Sequence, residues 1–268
     1  MAEVGGRTLL FPVESGPCGN VLHDGIARHA SDLPQRGELA HRTLVPASCD
    51  PAAGLLATLY QRDSGHRMLT FTRSSSEALA LVEQRLAHVA GVHLAAADDN
   101  RGNAAMIASH QPLCELELLH VARWEEGLAC HPRRRIRSAA AAAKSKLRWV
   151  GRSAGAGARR CQDELLGRRQ TPKQVARDHR GVVEAIRGGW ADVGVCLRLA
   201  SEEGQLTFLP IGEENYDLCF RRDQAADLRI AALHNTIRSA EYRRLLGDLP
   251  GYQPQSHLGE IEHVYRDR

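Results

Sequence analysis

The order of residues predicts an α/β protein built as two lobes, and three observations carry that expectation. From residue 43 onward, short apolar runs alternate with helix-patterned stretches, the rhythm of strands joined by crossover helices. Each run passes into its helix through a small-residue turn of serine or glycine, where the first backbone N–H groups of the helix lack internal partners. The rhythm also starts twice, at residue 43 and again at residue 147, and a chain of 268 residues has interior enough for both units.

Residues 1–42 are poorly periodic and rich in Gly, Pro and His, with one short strand over 8–13, and they read as a lead-in rather than core. A strand over 42–47 opens the first lobe. Asp50 is placed to cap the helix that follows over 52–62, with Pro51 at its first position and Leu55, Leu56 and Leu59 on its buried face. A second strand spans 67–72, after which Ser74 and Glu77 form a capping box and Leu79, Val82 and Leu86 make the helical stripe. Residues 88–94 are almost continuously apolar, as expected of a strand covered on both faces.

A strand over 116–122 leads toward the second lobe. There the pattern predicts a strand over 147–150, a flexible turn over 151–157, a helix ending near Leu166, a helix over 178–187 with Val182, Val183 and Ile186 inward, and a strand over 191–196. Late strands at 207–211 and 216–220 and two helices within 223–246 complete the chain. The division that follows is lobe 1 from residues 43–122 with 217–268, and lobe 2 from residues 123–216. Between them, Arg133-Arg134-Arg135-Ile136-Arg137 reads as a solvated basic turn before an alanine-rich helix, with an anion or DNA contact as its functional counterpart.

Charge and cysteine usage narrow the function. Lys+Arg 35 against Asp+Glu 32 leaves only +3, which argues against a protein that coats nucleic acid by bulk attraction. Only Lys144, Lys146 and Lys173 are lysines, so nearly all positive charge is arginine, suited to directional pairing with carboxylates or oxyanions. No window approaches the roughly 18 apolar residues of a membrane span, and residues 1–7 lack the features of a signal peptide. A cytoplasmic location without membrane partners is therefore expected. The seven cysteines are scattered and include no C-x-x-C pair, as for reduced thiols, and the thirteen histidines show no H-E-x-x-H or similar spacing. Local spacing therefore supports neither a metal nor another cofactor.

Three strand-to-helix junctions carry the binding expectation: Ser48-Cys49-Asp50, Ser74-Ser75-Ser76 and Ser153-Ala154-Gly155-Ala156-Gly157. Ligands of open α/β sheets collect at the carboxyl ends of strands, where helix N-termini favour anions. Gly155 and Gly157 permit close backbone approach, and Arg159 lies one turn into the next helix, where it either clamps an oxyanion or pairs with Asp163. His93, at the end of its strand, is the best isolated polar candidate for the cleft, and Tyr216 reaches it from a hinge strand or packs in the core. No P-loop, dinucleotide fingerprint or G-x-S-x-G context is present, and no cysteine sits in a recognisable catalytic setting.

In order along the chain stand Ser48-Cys49-Asp50-Pro51, residues 87–94, Arg123-Trp124-Glu125-Glu126-Gly127-Leu128, residues 153–159, Gly189-Trp190-Ala191-Asp192-Val193-Gly194 and Glu213-Glu214-Asn215-Tyr216-Asp217-Leu218. This series resembles the periplasmic-binding-protein-like, molybdate-binding-like substrate-binding domain found behind helix-turn-helix segments in bacterial transcriptional regulators. The resemblance covers about residues 44–252. It implies a two-lobed type II periplasmic-binding-protein-like fold with a ligand cleft between lobes and crossover strands near Arg123 and Tyr216. It further implies closure on a small ligand and no catalysis.

Three departures bear on the ligand. Residues 154–159 replace a Gly-Ser-Gly-Thr-Arg loop and lose two hydroxyls; Glu126 stands where Gln is usual; and Cys130-His131 replaces Gly-Asn. Carboxylates at Asp50 and Glu126 are expected to weaken binding of a bare oxyanion. The expectation is thus a cytoplasmic ligand-sensing domain of a transcriptional regulator, taking a molybdate-like oxyanion or small polar metabolite through Ser48, Cys49, Asp50, Ser74, Ser75, His93, Ser153, Gly155, Gly157, Arg159 and Tyr216. DNA would be reached only through a helix-turn-helix segment that residues 1–42 do not provide, and a homodimer is compatible with the sequence. The alternatives are an enzyme or accessory protein of molybdenum-cofactor metabolism on the same scaffold, with His93 or Cys49 essential, and an interaction domain that has lost its ligand.

Overall fold

A computed structural model describes residues 1–12, 24, 38–96, 102–167 and 172–265. It opens on an antiparallel hairpin, β1 (Ala2–Val4) with β2 (Arg7–Leu9), and one helical turn, α1 (Glu38–His41). Then follow β3 (Thr43–Leu44), β4 (Pro46–Ala47), α2 (Ala53–Ser64), β5 (Arg67–Met68), α3 (Ser75–Glu83), β6 (Val89–Val92) and α4 (Gly102–Ser109). From lobe 1 the chain leaves through the fifteen-residue strand β7 (Leu116–Cys130). Lobe 2 comprises α5 (Ala139–Ala143), β8 (Trp149–Arg152), α6 (Gly157–Leu166), β9 (Gln174–Ala176), α7 (His179–Arg187), β10 (Val193–Leu197) and α8 (Arg198–Glu203). A second fifteen-residue strand, β11 (Thr207–Arg221), returns to lobe 1, which α9 (Leu228–Arg238), α10 (Ala240–Gly247), β12 (Tyr252–Pro254) and β13 (Ile261–Val264) complete.

One sheet runs through both lobes in the order β4-β6-β11-β7-β10-β8-β9. Its spine is the antiparallel pair β7 and β11, in register from Cys130 opposite Thr207 to Leu116 opposite Arg221. On one side β6 pairs β11 and β4 extends it in parallel; on the other β10 pairs β7, with β8 and β9 added in parallel. Two bulges interrupt the spine, between Pro210 and Gly212 and between Tyr216 and Asp217, and bulges bend a strand where they fall.

The continuity of the spine departs from the sequence expectation, which ended one strand at residue 122 and split the other in two. Glu125, Glu126, Glu213 and Glu214 interrupt the apolar pattern, yet each sits in the ladder. Glu125 is there because Arg198 reaches it at 3.0 Å. Glu126 and Glu214 are buried in the site described below.

Lobe 1 has a core on each face of its sheet. Tyr60, Leu56, Trp124, Tyr216, Leu233 and Tyr242 fill one, and Val45, Phe71, Val82, Val92 and Ile107 the other. Ala2 and Val4 are fully buried in the second, so the first residues belong to the core and are not a lead-in. The expected strand beyond Leu9 is not formed: it ends there, and Val13 lies outside the described residues. Lobe 2 is smaller, with Val150, Val182, Val183 and Ile186 on one face and Leu128, Ala158, Val193 and Val195 on the other; each fully buried valine or leucine contributes about 2 kcal/mol.

Local caps place the helix starts. Ser74 and Glu77 close their capping box, and Asp178 accepts the Gly181 N–H at 2.7 Å. Asp50 does not cap α2, because the helix begins later, at Ala53; its Oδ1 instead accepts the Ala52 N–H at 2.8 Å and fixes the turn leading into the helix. Arg134 of the basic turn is paired with Asp192 at 2.6 Å, which accounts for it structurally.

Candidate functional site

The polar residues at the carboxyl ends of β4, β6 and β8 and at the N-termini of α3, α6 and α7 converge where the lobes meet. Cys49 follows β4, and its Sγ lies 3.0 Å from His93 Nε2 at the end of β6. Nδ1 of the same ring is 2.8 Å from Glu214 Oε2 on β11. Trp124 Nε1 also donates to that oxygen at 3.3 Å, and Arg160 Nη2 donates to the other at 2.9 Å. His179, the first residue of α7, brings Nε2 to 3.7 Å from the same sulfur from the opposite lobe. Arg152, the last residue of β8, is fully buried beside Cys49. Its Nη2 donates to the Arg177 carbonyl at 3.3 Å, while Nε and Nη1 find no partner among the described residues.

The electrostatics follow from this packing. Burial alone would push the Cys49 thiol up, but the His93 ring and the Arg152 guanidinium outweigh it and hold the thiol below its usual range. Burial would likewise strip the proton from His93; Cys49 and Glu214 reverse that and hold the ring protonated well above the usual histidine range. For His179, burial together with Arg152 and His93 all act in one direction and keep the ring neutral. The result is a thiol, an imidazole and a carboxylate in line, with a second imidazole and a guanidinium at the sulfur. Cys49, His93 and His179 are also the described residues able to hold a metal, since one donor atom from each lies within 4.8 Å of the others.

Close backbone approach makes the cluster possible. A Cβ on Gly157 would lie 2.4 Å from His93 Nδ1, and one on Gly155, which has φ of +83°, would lie 2.7 Å from Ser76 Oγ. Ser76 in turn donates to the Gly155 carbonyl at 3.3 Å, tying α3 of lobe 1 to the loop of lobe 2. On the same seam a cavity of about 440 Å³ is lined by Thr72, Arg73, Glu77, Ser153, Ala176 and Arg177.

The residues expected from sequence divide into three groups. Cys49 and His93 are in the cluster and Gly157 packs against His93, while Gly155 packs on Ser76 at the seam. Ser48, Asp50, Ser74, Ser75 and Tyr216 frame it: Ser48 Oγ and the Tyr216 hydroxyl share a hydrogen bond at 2.9 Å, and Ser75 Oγ accepts the His93 N–H at 3.2 Å. Asp50 Oδ1 accepts the Tyr252 hydroxyl at 2.6 Å, Ser74 caps α3, and Tyr216 stacks on Trp124 at 4.4 Å between centroids. Ser153 lines the cavity. Arg159 goes elsewhere: its Nε donates to Asp163 at 2.8 Å, the i,i+4 pairing that was the alternative to an anion clamp.

Sequence reasoning missed Arg152, His179, Glu214 and Arg160. Arg152 ends a strand and His179 opens a helix, positions that carry function in this kind of sheet, but their meaning depends on which other residues they face. The carboxylates expected to repel an anion are muted. Burial raises the Asp50 carboxyl, and burial with the neighbouring Glu214 pushes Glu126 up to about 8, so Glu126 is largely protonated at neutral pH.

Comparison with known proteins adds the family. The profile of the PBP superfamily domain matches residues 56–238. An uncharacterized protein, YvgK of Bacillus subtilis (strain 168), is 26% identical over 117 residues, which are 41% of this chain and 37% of that protein; the chain thus spans little more than a third of that relative's length. Among solved structures, PhnD1 from Prochlorococcus marinus in complex with methylphosphonate superposes with a TM-score of 0.54 at 9% identity, over 82% of this chain and 95% of that one. The tungstate-binding protein TupA from Desulfovibrio alaskensis G20 superposes with a TM-score of 0.51 at 14% identity, over 80% and 98%. These structural likenesses confirm the two-lobed fold.

Proposed function

The chain belongs to the PBP superfamily, and on that premise we propose that it binds a small anion between its lobes, with Arg152 as the anchor and closure of the lobes as the response. The observation that carries the reading is the fully buried Arg152 guanidinium, whose Nε and Nη1 have no hydrogen-bond partner among the described residues. A buried cation without full hydrogen bonding is costly, and an oxyanion supplies both the charge and the acceptors. The N-termini of α3, α6 and α7 converge around it and favour the same sign of charge. PhnD1 with methylphosphonate and the tungstate-binding TupA show the chemistry that neighbours of this fold bind. We further propose binding without catalysis, in the cytoplasm, as the sensing part of a transcriptional regulator whose DNA contacts lie on another segment. The sequence resemblance supports the regulatory role, and the thiols of Cys49, Cys130, Cys161, Cys196 and Cys219, none in a disulfide, support a reducing compartment.

The test is a thermal-shift and calorimetric titration with phosphate, methylphosphonate, sulfate, molybdate and tungstate, in buffer containing chelator. One of these at about a hundred times its Kd is expected to stabilise the protein by about 2.7 kcal/mol. Arg152→Met is expected to weaken it by about tenfold to a hundredfold, the range for a charge-assisted hydrogen bond. Arg159→Ala is expected to leave it unchanged. A folded protein that responds to none of the anions, or loses its response with Arg159→Ala and not with Arg152→Met, overturns the reading.

A further inference from the structure

We propose that Cys49 Sγ, His93 Nε2 and His179 Nε2 form a three-ligand site for a thiophilic divalent ion, zinc by chemistry, with its fourth position left to an exogenous ligand. The separations fit. Zinc holds thiolate sulfur at about 2.3 Å and imidazole nitrogen at about 2.0–2.1 Å, so at tetrahedral angles sulfur and nitrogen ligands stand about 3.6 Å apart. Here the two sulfur-to-nitrogen distances are 3.0 and 3.7 Å, so His179 already stands at that separation and His93 would move back from the sulfur by about half an ångström to admit the ion. All three residues are buried, and their donor atoms lie within 4.8 Å of one another.

The shell around the ligands points the same way. A metal-binding histidine generally donates its second ring N–H to a carboxylate, which fixes tautomer and orientation. His93 Nδ1 meets Glu214 Oε2 at 2.8 Å, and that carboxylate is itself held by Trp124 and Arg160. The ring is therefore pinned with Nε2 facing the sulfur. His179 supplies an independent observation. Its described hydrogen-bond contact is the one from Nε2 to Cys49 Sγ at 3.7 Å, so the nitrogen that faces the sulfur is the one that would bind the ion, while Nδ1, buried without a described partner, lacks the anchor that Glu214 gives His93. A buried imidazole aimed at a thiol from that distance serves a hydrogen bond to sulfur or a second ligand of one ion, and the second use also gives the three converging donors a common purpose. A nucleophilic thiol served by His93 and Glu214 uses the same line of atoms but gives His179 no role.

The ligands come from both lobes, Cys49 and His93 from lobe 1 and His179 from lobe 2. An ion here clasps the closed form, because the open form cannot offer all three donors at once. Arg152 beside the sulfur adds positive charge that an anion offsets, so metal and anion are expected to bind cooperatively. In that respect the inference meets the anion reading, although the metal site itself does not require it.

The experiment uses the full chain, stripped with chelator and titrated with Co²⁺ and Zn²⁺ in a buffer free of oxyanions. One ion per chain is expected, with a thiolate-to-cobalt charge-transfer band and tetrahedral d–d absorption. Cys49→Ser should abolish the charge-transfer band, and His179→Gln, which removes a ligand, should weaken binding by about a hundredfold or more, beyond the range for an outer-shell partner. Cys161→Ser should change neither. Circular dichroism checks each variant for folding, and a second readout uses the wild type alone: zinc should protect Cys49 from alkylation, read by peptide mass spectrometry. A folded wild type that takes up no stoichiometric cobalt, or whose Cys49 is alkylated equally fast with and without zinc, overturns the proposal. Anion binding in chelator tests the other reading separately, so failure of one is distinguishable from failure of the other.

Discussion

Replacing Glu126 with glutamine should stabilise the protein by an amount that grows with pH. Glu126 lies in the ladder of β7 with only 2% of its surface exposed, and its Oε1 has no hydrogen-bond partner among the described residues. Burial, reinforced by the charge of Glu214, pushes its carboxyl from an ordinary value of 4.5 up to about 8. A raised acid holds its proton more tightly in the folded state than in the unfolded one. Its contribution is therefore complete below pH 4.5 and drains away as pH rises toward 8. With 1.36 kcal/mol per pKa unit, the loss is about 2 kcal/mol at pH 6 and about 4 kcal/mol at pH 8. Glutamine has nearly the same shape and no ionisation to suppress. Any constant cost of burying the amide cancels when two pH values are compared. Urea unfolding of wild type and Glu126→Gln, followed by tryptophan fluorescence at pH 6, 7 and 8, should show the difference in stability widening by about 2 kcal/mol across that range, or about 4 °C in Tm at roughly 2 °C per kcal/mol. A difference that stays flat would mean that Glu126 ionises freely in the folded protein and that the region around it is wetter and less closed than the structure shows.

Two further outcomes follow from the geometry. Gly157→Ala puts a methyl group 2.4 Å from His93 Nδ1 and 2.7 Å from the His93 carbonyl; because these atoms belong to opposite lobes, the variant should lose affinity for the anion by about tenfold, or 1.4 kcal/mol, while the lobes relieve much of the clash by parting and unfolding stability falls less. Unchanged affinity in calorimetry would refute the close approach. His88 accepts the Val45 N–H through Nδ1 and meets the Glu3 carbonyl through Nε2, and burial, with Arg229 nearby, lowers its pKa to about 4. Stability from this neutral ring is present above about pH 6.5 and is lost as pH falls toward 4. The advantage of wild type over His88→Gln in urea melts should shrink by about 3 kcal/mol between pH 7 and pH 4, and an advantage independent of pH would contradict it.

What the sequence made legible was whatever is decided by neighbours along the chain. The capping box at Ser74 and Glu77 and the helix opened by Asp178 are formed much as the pattern predicts, because a cap needs only a hydroxyl or carboxylate and an N–H two or three residues away. The spine strands were legible only in part. Their middle sections carry glutamates whose burial is supported by Arg198, Arg160, Trp124 and His93, partners that no window of neighbouring residues contains. The hinge has the same character. Asp217, at the second bulge, accepts from Asn103, Gln255 and His120, three residues from separate parts of the chain. The metal-ligand candidates are 44 and 86 residues apart in sequence, so an argument from local spacing had no means of finding them. Arg159 and Arg152 illustrate the limit most directly: both are arginines near the same glycine-rich turn, and only the fold decides that one meets Asp163 and the other the cleft.

The unsatisfied groups give the closed arrangement its meaning. Arg152 Nε and Nη1, His179 Nδ1, Gln162 Oε1 and Glu126 Oε1 are all buried without partners among the described residues, and Arg152 and His179 stand at the seam beside Cys49. Leaving such atoms dry costs about 1–3 kcal/mol each, and more where the group is charged. Water reaches the groups at the seam once the lobes part. Closure by itself is therefore opposed by desolvation, against which stand interlobe contacts such as Ser76 to Gly155 and Arg160 to the Leu94 carbonyl. A ligand that satisfies these groups only in the closed form supplies the missing difference, and the size of the shift it can produce is set by that difference in affinity between the two forms. A site built this way suits a switch better than a passive pocket. A ligand that satisfied Arg152 alone would close the lobes weakly, whereas one that also joined the Cys49, His93 and His179 cluster would hold them shut from both sides.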